Sequence, residues 1–125
     1  MSDIKVNGRI KIKTFQSEFI KKFPYLVPTL RMPDGSGLNN DNTIAWARSQ
    51  SKGAYSPSGE AELSINGNLT VGGFEKRFKD TFGVDCEIVY KLSGKHYRTK
   101  DEYDSLSLSA ANKKLEEKGA EKITL

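Results

Sequence analysis

Ile4-Lys5-Val6-Asn7-Gly8-Arg9-Ile10-Lys11-Ile12 returns 59 residues later as Leu63-Ser64-Ile65-Asn66-Gly67-Asn68-Leu69-Thr70-Val71. The same shift lays Phe15, Phe19 and Phe23 on Phe74, Phe78 and Phe82, and Gly35 on Gly94. Only six of the 38 aligned pairs between 3–40 and 62–99 are identical, yet they fall at turn and core positions, where geometry dictates the residue type. The chain therefore reads as an internal duplication, with one copy in residues 1–60 and the other in 61–125.

Each copy carries its own structural signals. Ile4, Val6, Ile10 and Ile12 alternate with Lys5, Arg9, Lys11 and Lys13, the period of a half-buried strand, and Asn7-Gly8 between the runs predicts a two-residue hairpin turn. Phe at i, i+4 and i+8 predicts amphipathic helices over 14–23 and 73–82, with Lys21, Lys22, Lys76 and Lys79 facing water. Strands are expected over 26–32 and 84–92, closed by turns at Asp34-Gly35 and Ser93-Gly94. Further on, Thr43-Ile44-Ala45 aligns with Ser107-Leu108-Ser109 as a short strand, and Glu62–Ile65 aligns with Lys122–Leu125 as a closing strand. Asn112–Lys118 reads as a charged helix ended by Gly119, and Gln50–Gly59 as a loop.

Hairpin, helix, strand, short strand, polar helical segment and final strand is the order of the β-grasp. The second copy resembles ubiquitin-like domains on these residues: Gly73-Gly-Phe-Glu-Lys-Arg-Phe-Lys-Asp-Thr-Phe-Gly83 stands at the helix, Glu87-Ile-Val-Tyr-Lys-Leu-Ser-Gly-Lys95 at the third strand and turn, and Glu121-Lys-Ile-Thr-Leu125 at the last strand. The plan is also similar to a family of bacterial proteins of unknown function with a duplicated Phe-helix and Asn-Gly motif. The resemblance implies an α+β fold of two tandem β-grasp-like pseudo-repeats and no particular activity. Ala61–Ile65 would be the last strand of one copy and the first of the next. A strand has two edges, so the copies interlock through that shared strand, or a strand comes from elsewhere.

A unit of about 60 residues buries only roughly 60% of its unfolded surface, so two half-chains around one core are expected rather than two independent domains. With 36% hydrophobic and 29% charged residues and no membrane-length apolar run, the composition is that of a soluble globular protein. Met-Ser-Asp-Ile-Lys-Val lacks an apolar signal region and the single cysteine allows no internal disulfide, which predicts the cytoplasm. The net charge of +4 arises in the first copy: residues 1–40 hold seven Lys/Arg against three Asp/Glu, and 41–125 hold thirteen of each.

The residues do not assemble into a catalytic set, and no cofactor is expected. In a hairpin turned at Ser93-Gly94, Lys91 faces His96, which leaves Cys86 five residues away, roughly 17 Å at about 3.3 Å per residue, and on the opposite face. One His and one Cys exclude the usual zinc clusters. Asp101, Glu102 and Asp104 lack the glycine and terminal glutamate of a calcium loop and read as a solvated loop. Gly72-Gly73 lacks the Lys-Ser/Thr of a phosphate loop. The terminal Ile-Thr-Leu lacks the Gly-Gly used in conjugation by ubiquitin-like proteins.

Two surface features are candidate sites. Lys5, Lys11 and Lys13, with Arg9 at the turn, form a basic patch on one face of the first hairpin. Lys91, Lys95, Tyr97 and Arg98 interleave cations with an aromatic on the second hairpin, as single-stranded nucleic-acid platforms do, while Tyr90 is expected inward beside Ile88. Trp46, flanked by Ile44, Ala45 and Ala47, is expected to be buried. The resulting expectation is a non-enzymatic module that binds an unidentified protein through a sheet face or edge strand, without a membrane. The alternative is nucleic-acid binding by the basic hairpin, and open edges also allow a homodimer.

Overall fold

The computed structural model describes residues 4–30, 40–49, 62–99 and 101–124. It is a mixed α+β structure: β1 (Ile4–Asn7), α1 (Ile12–Lys22), β2 (Val27–Leu30), α2 (Ile44–Ser49), β3 (Glu62–Ile65), α3 (Val71–Phe82), β4 (Cys86–Leu92), β5 (Lys95–Arg98), α4 (Asp101–Asp104) and α5 (Leu108–Glu117). The strands form two antiparallel sheets, β1-β3 and β2-β4-β5. The turn at Asp34-Gly35 and the loop at Gln50–Gly59 lie outside the described residues.

The predicted Asn-Gly hairpins do not form. Neither Gly8 nor Gly67 takes the positive φ that a tight hairpin turn requires. Instead the Asn7 and Asn66 side chains accept from the backbone N–H of Arg9 and Asn68, each at 2.9 Å, so both asparagines fold the chain by an Asx turn. Lys11 and Thr70 then make single bridges to Thr43 and Ser107, and the helices begin at Ile12 and Val71. Of the apolar residues assigned to a second strand, Ile10 and Leu69 precede the helices and Ile12 and Val71 open α1 and α3, because Ile12, Phe15 and Phe19 share a helical face as Val71, Phe74 and Phe78 do.

Strand pairing runs between the copies. Ile4 pairs with Ile65 and Val6 with Leu63, which centres β1-β3 on the equivalent residues Lys5 and Ser64. After the Phe triads the correspondence shifts by one residue: Leu26, Pro28 and Leu30 are buried as Val84, Cys86 and Ile88 are, with Thr29 matching Glu87. Thr29 is paired with Glu87 in the β2-β4 ladder, again equivalent against equivalent. Two-fold self-complementary pairing of this kind is what isologous interfaces show. The rings follow it: Phe15–Phe78 and Phe19–Phe74 centroids are both 5.6 Å apart, and Phe15 meets its own equivalent Phe74 at 6.4 Å. One buried cluster from Ile4 to Ala120 contains all six phenylalanines.

The loop contacts repeat as well. Ile12 N–H donates to the Asn42 carbonyl and Val71 N–H to that of Leu106. Ile44 and Leu108 N–H donate to the Ile10 and Leu69 carbonyls, and Ala45 and Ser109 N–H to those of Gly8 and Gly67. A Cβ on Gly67 would overlap the Ser109 hydroxyl, so glycine serves this close passage rather than a turn.

Several further expectations are corrected. Thr43 and Ser107 are each a single bridge residue that opens a helix, α2 or α5, because their hydroxyls accept from Trp46 and Ala110 N–H as helix caps. The helix expected over 112–118 therefore starts at Leu108 and stops before Gly119, whose φ is 85°. Among the described residues the C-terminal segment forms one bridge, Glu121 to Lys91, and no strand. Asp101–Asp104 is a short helix rather than a loop, anchored by the buried Tyr103. The shared strand is not seen among the described residues: there β3 pairs with β1 alone, because the helix that follows it takes the residues a hairpin would need. Trp46 is half-buried against the core.

Candidate functional site

The second hairpin keeps the register read from the sequence. Ser93 and Gly94 both take positive φ, 53° and 79°, so the turn is of the primed type that suits hairpin twist, and Leu92 faces Lys95, Lys91 faces His96 and Tyr90 faces Tyr97. One face of the sheet carries Leu30, Cys86 and Ile88, which enter the core, and continues to Tyr90 and Tyr97. These two rings stack with centroids 5.7 Å apart, and Tyr90 meets buried Tyr103 at 6.2 Å. Tyr90 is half-buried at this margin rather than deep in the core beside Ile88. Lys114 and Lys118 lie 5.1 and 5.6 Å from the Tyr103 ring centroid, and Lys118 Nζ donates to its hydroxyl at 3.3 Å. That hydroxyl raises the Lys118 pKa, and burial raises that of Tyr90. Tyr97 is 43% exposed and is the large hydrophobic residue that stands out in solvent among the described residues.

The other face bears Val27 and Val89, covered by Ile123 and Ile20, and then Lys91, His96 and Arg98. Arg98 donates to both Glu87 carboxylate oxygens, at 2.9 and 3.0 Å. The structure thus brings Lys91, Lys95, Tyr97 and Arg98 together on one hairpin, but splits them: Lys95 and Tyr97 on one face, Lys91 and Arg98 on the other.

The two ends of this sheet differ. At β2, Pro28 has no N–H to offer, and its carbonyl accepts from the buried Gln16 amide at 2.7 Å. That end is blunted against further pairing. At the other end β5 is exposed along its whole length. Thr99 N–H donates to the Ile88 carbonyl at 2.9 Å, which fixes the alternation: Lys95, Tyr97 and Thr99 turn their backbone groups to β4, and His96 and Arg98 turn theirs outward. Among the described residues no strand pairs with that outer edge.

Glu75 holds the base of the hairpin. Its carboxylate accepts from Ile88 N–H at 3.0 Å, where β5 has ended. Burial raises the Glu75 pKa, the Ile88 N–H opposes that shift, and the nearby Asp104 and Glu87 charges add to it. A carboxyl raised in the folded state stabilises the fold most at low pH and loses that contribution as pH rises from the ordinary glutamate value through the raised one. Position 75 is equivalent to Gln16, whose amide fits the first copy. Glu75→Gln is therefore expected to abolish the fall in stability that this carboxyl contributes as pH rises through the acidic range, and to leave stability near about pH 7 undiminished. A variant less stable than the parent at neutral pH, in urea melts, would show that the ionised carboxylate is required.

The first-copy patch is not a sheet face. Lys5 is exposed on β1, Arg9 lies in the Asx turn, Lys11 precedes α1, and Lys13 lies inside that helix. Lys13 is ion-paired with Asp41, which together with Lys11 lowers the Asp41 pKa. The open N–H groups of α1 at Ile12 and Lys13 bond to the carbonyls of Asn42 and Asn40.

Cys86 is buried in the core, where desolvation and the Glu75, Glu87 and Asp85 charges push its thiol up, away from the reactive thiolate. Its side belongs to the opposite sheet face from His96. Among the described residues no group of three His, Cys, Asp or Glu is placed to hold a metal ion. No described helix is long and apolar enough to cross a membrane. The edge role of β5 was missed in the sequence, where Pro28 was the one available signal that the opposite edge is blunted. No family model matches the chain, and neither does any curated protein or solved structure.

Proposed function

We propose that this chain is a non-enzymatic binding module that captures an extended segment of a protein partner as an added strand on β5. The observation that carries this reading is the asymmetry of the three-stranded sheet: β2 is blunted by Pro28 and Gln16, whereas β5 presents outward-facing backbone groups at His96 and Arg98. Strand addition draws affinity from such main-chain groups and specificity from alternate side chains. The buried Cys86, its thiol pushed up by desolvation, supports the absence of thiol chemistry.

His96→Pro tests the reading. Proline on an edge strand removes an outward N–H while sparing the bonds to β4. A tagged chain is expected to retain a protein partner from its native cell and to lose it with His96→Pro, while the amide spectrum of the variant stays dispersed. Equal retention by the folded variant would refute strand addition.

Nucleic-acid binding by Lys5, Arg9, Lys11 and Lys13 is the second reading, weakened by the Lys13–Asp41 pair. The Lys5/Lys11/Lys13→Ala variant is expected to fold and keep its partner. Oligonucleotide binding by the parent chain is expected to be no tighter than the non-specific range of about 10⁻⁴ to 10⁻⁶ M at physiological salt. A sub-micromolar complex whose salt slope drops by roughly one unit per lysine removed would reverse this ranking.

A further inference from the structure

The edge of β5 has a charge pattern that selects among occupants. We infer that the strand it accepts is an acidic one, with carboxylates alternating with apolar side chains; this rests on the strand-addition reading. Among the described residues of this edge His96 and Arg98 turn backbone groups outward, so the side chains of an added strand must supply much of the selectivity. Those side chains alternate in facing. A residue beside Tyr97 comes to lie against the Tyr97–Tyr90 stack, which offers an apolar shelf. Its neighbours beside His96 and Arg98 fall on the opposite face, next to Lys91.

On that second face the acids nearby are already engaged. Glu87 holds Arg98 through both oxygens, and the Glu121 carboxylate accepts from Gly94 N–H at 2.8 Å. Between Leu92 and Arg98 the hairpin contains Lys95, His96 and Arg98 and no Asp or Glu, with Lys91 directly across from His96. Incoming carboxylates on that face therefore meet Lys91, His96 and an Arg98 whose charge is shared with Glu87.

A second copy of the chain does not fit the same edge. β5 laid antiparallel on another β5 sets His96 of each against Arg98 of the other and brings Lys91 and Lys95 of both copies to one short edge, a concentration of positive charge that disfavours the pair. The short, charged edge thus discourages self-association, as edge strands in soluble proteins commonly do, while leaving an acidic partner favoured.

The test uses the full chain and three capped, fluorescein-labelled peptides of equal length: alternating Asp and Val, alternating Lys and Val, and alternating Thr and Val. Fluorescence anisotropy at low salt is expected to show the Asp peptide binding at least about tenfold more tightly than the Lys peptide, with the Thr peptide between them. The Asp peptide should move the amide resonances of His96, Tyr97 and Arg98 and lose affinity in His96→Pro. Lys91→Glu combined with Lys95→Glu should exchange the preference of the two charged peptides, and this variant does not depend on proline being tolerated.

Equal affinity for all three peptides, all lost in His96→Pro, overturns the acidic preference and leaves strand addition standing. Asp-peptide binding unchanged in a folded His96→Pro overturns strand addition and the inference with it. Failure of the Asp peptide to bind while the Thr peptide does overturns the inference alone. Failure of all three at about millimolar concentration overturns the inference, and the partner-retention experiment then decides strand addition independently. An oligothymidylate that binds more tightly than the Asp peptide and is lost in Tyr97→Ser would identify the shelf as a base-stacking surface instead.

Discussion

Residues 1–60 expressed alone are expected to give a collapsed, poorly dispersed amide spectrum, residues 61–125 a partly ordered one, and the mixture of the two the dispersed spectrum of the whole chain. The reason is that β1 pairs with β3 and β2 with β4, so the ladders described for the first copy run to the second. The second copy keeps one ladder of its own, β4 with β5, closed by the Ser93-Gly94 turn. A lone two-stranded hairpin is at best marginal in water, which limits the order that 61–125 can retain. Each isolated half would also expose its Phe face, since Phe15 stacks on Phe78 and Phe19 packs on Phe74 across the copies. Sharp, dispersed peaks from isolated 1–60 would show that it folds without these pairings and would contradict the interlocked arrangement.

Phe19→Ala and Phe78→Ala should each cost about 3–5 kcal/mol, the range for truncating a fully buried aromatic. Both rings are fully buried and equivalent under the 59-residue shift. Each touches neighbours in both copies: Phe19 meets Phe15, Phe23 and Phe74, and Phe78 meets Phe15, Phe74 and Phe82. A cavity at either position therefore loosens the contact between α1 and α3 as well as the helix-to-sheet contact. Against a total stability of roughly 5–15 kcal/mol such a loss takes the variant close to unfolding. Urea melts showing less than about 1 kcal/mol lost in both variants would mean that the helices do not pack face to face.

Equivalent truncations should have near-equal effects, which sets this chain apart from one with two separate cores. The Phe triads lie around one pseudo-two-fold axis, so Phe15 and Phe74, or Phe19 and Phe78, occupy matched surroundings. Ring separations reflect this, at 6.2 and 6.0 Å within the two helices and 5.1 and 4.8 Å toward their ends.

The sequence by itself determined what depends on local spacing and on residue chemistry. Phe at every fourth position placed two helix faces, and both bury those rings. Ser93-Gly94 set the register of β4 and β5, because a two-residue turn with positive φ at both positions leaves one way to pair the flanking strands. That register placed Cys86 and His96 on opposite faces, whereas the Tyr90–Tyr97 stack at the sheet margin was legible only in the structure.

Only the tertiary structure decided which strand pairs with which, and which edge stays open. Alternation in Ile4–Asn7 is the same whether the partner is the next segment or the other copy, and Asn-Gly serves an Asx turn as well as a hairpin. Burial is what the helix start serves: with α1 beginning at Ile12, the residues Ile12, Phe15 and Phe19 share one fully buried face, and Phe15 and Phe19 meet Phe74 and Phe78. The open edge likewise depends on residues far apart in the chain. Gln16 reaches the Pro28 carbonyl, Glu75 takes the Ile88 N–H and Glu121 bridges to Lys91. A local pattern records which face of a segment seeks burial, but not what buries it, because that energy is settled by contacts between segments.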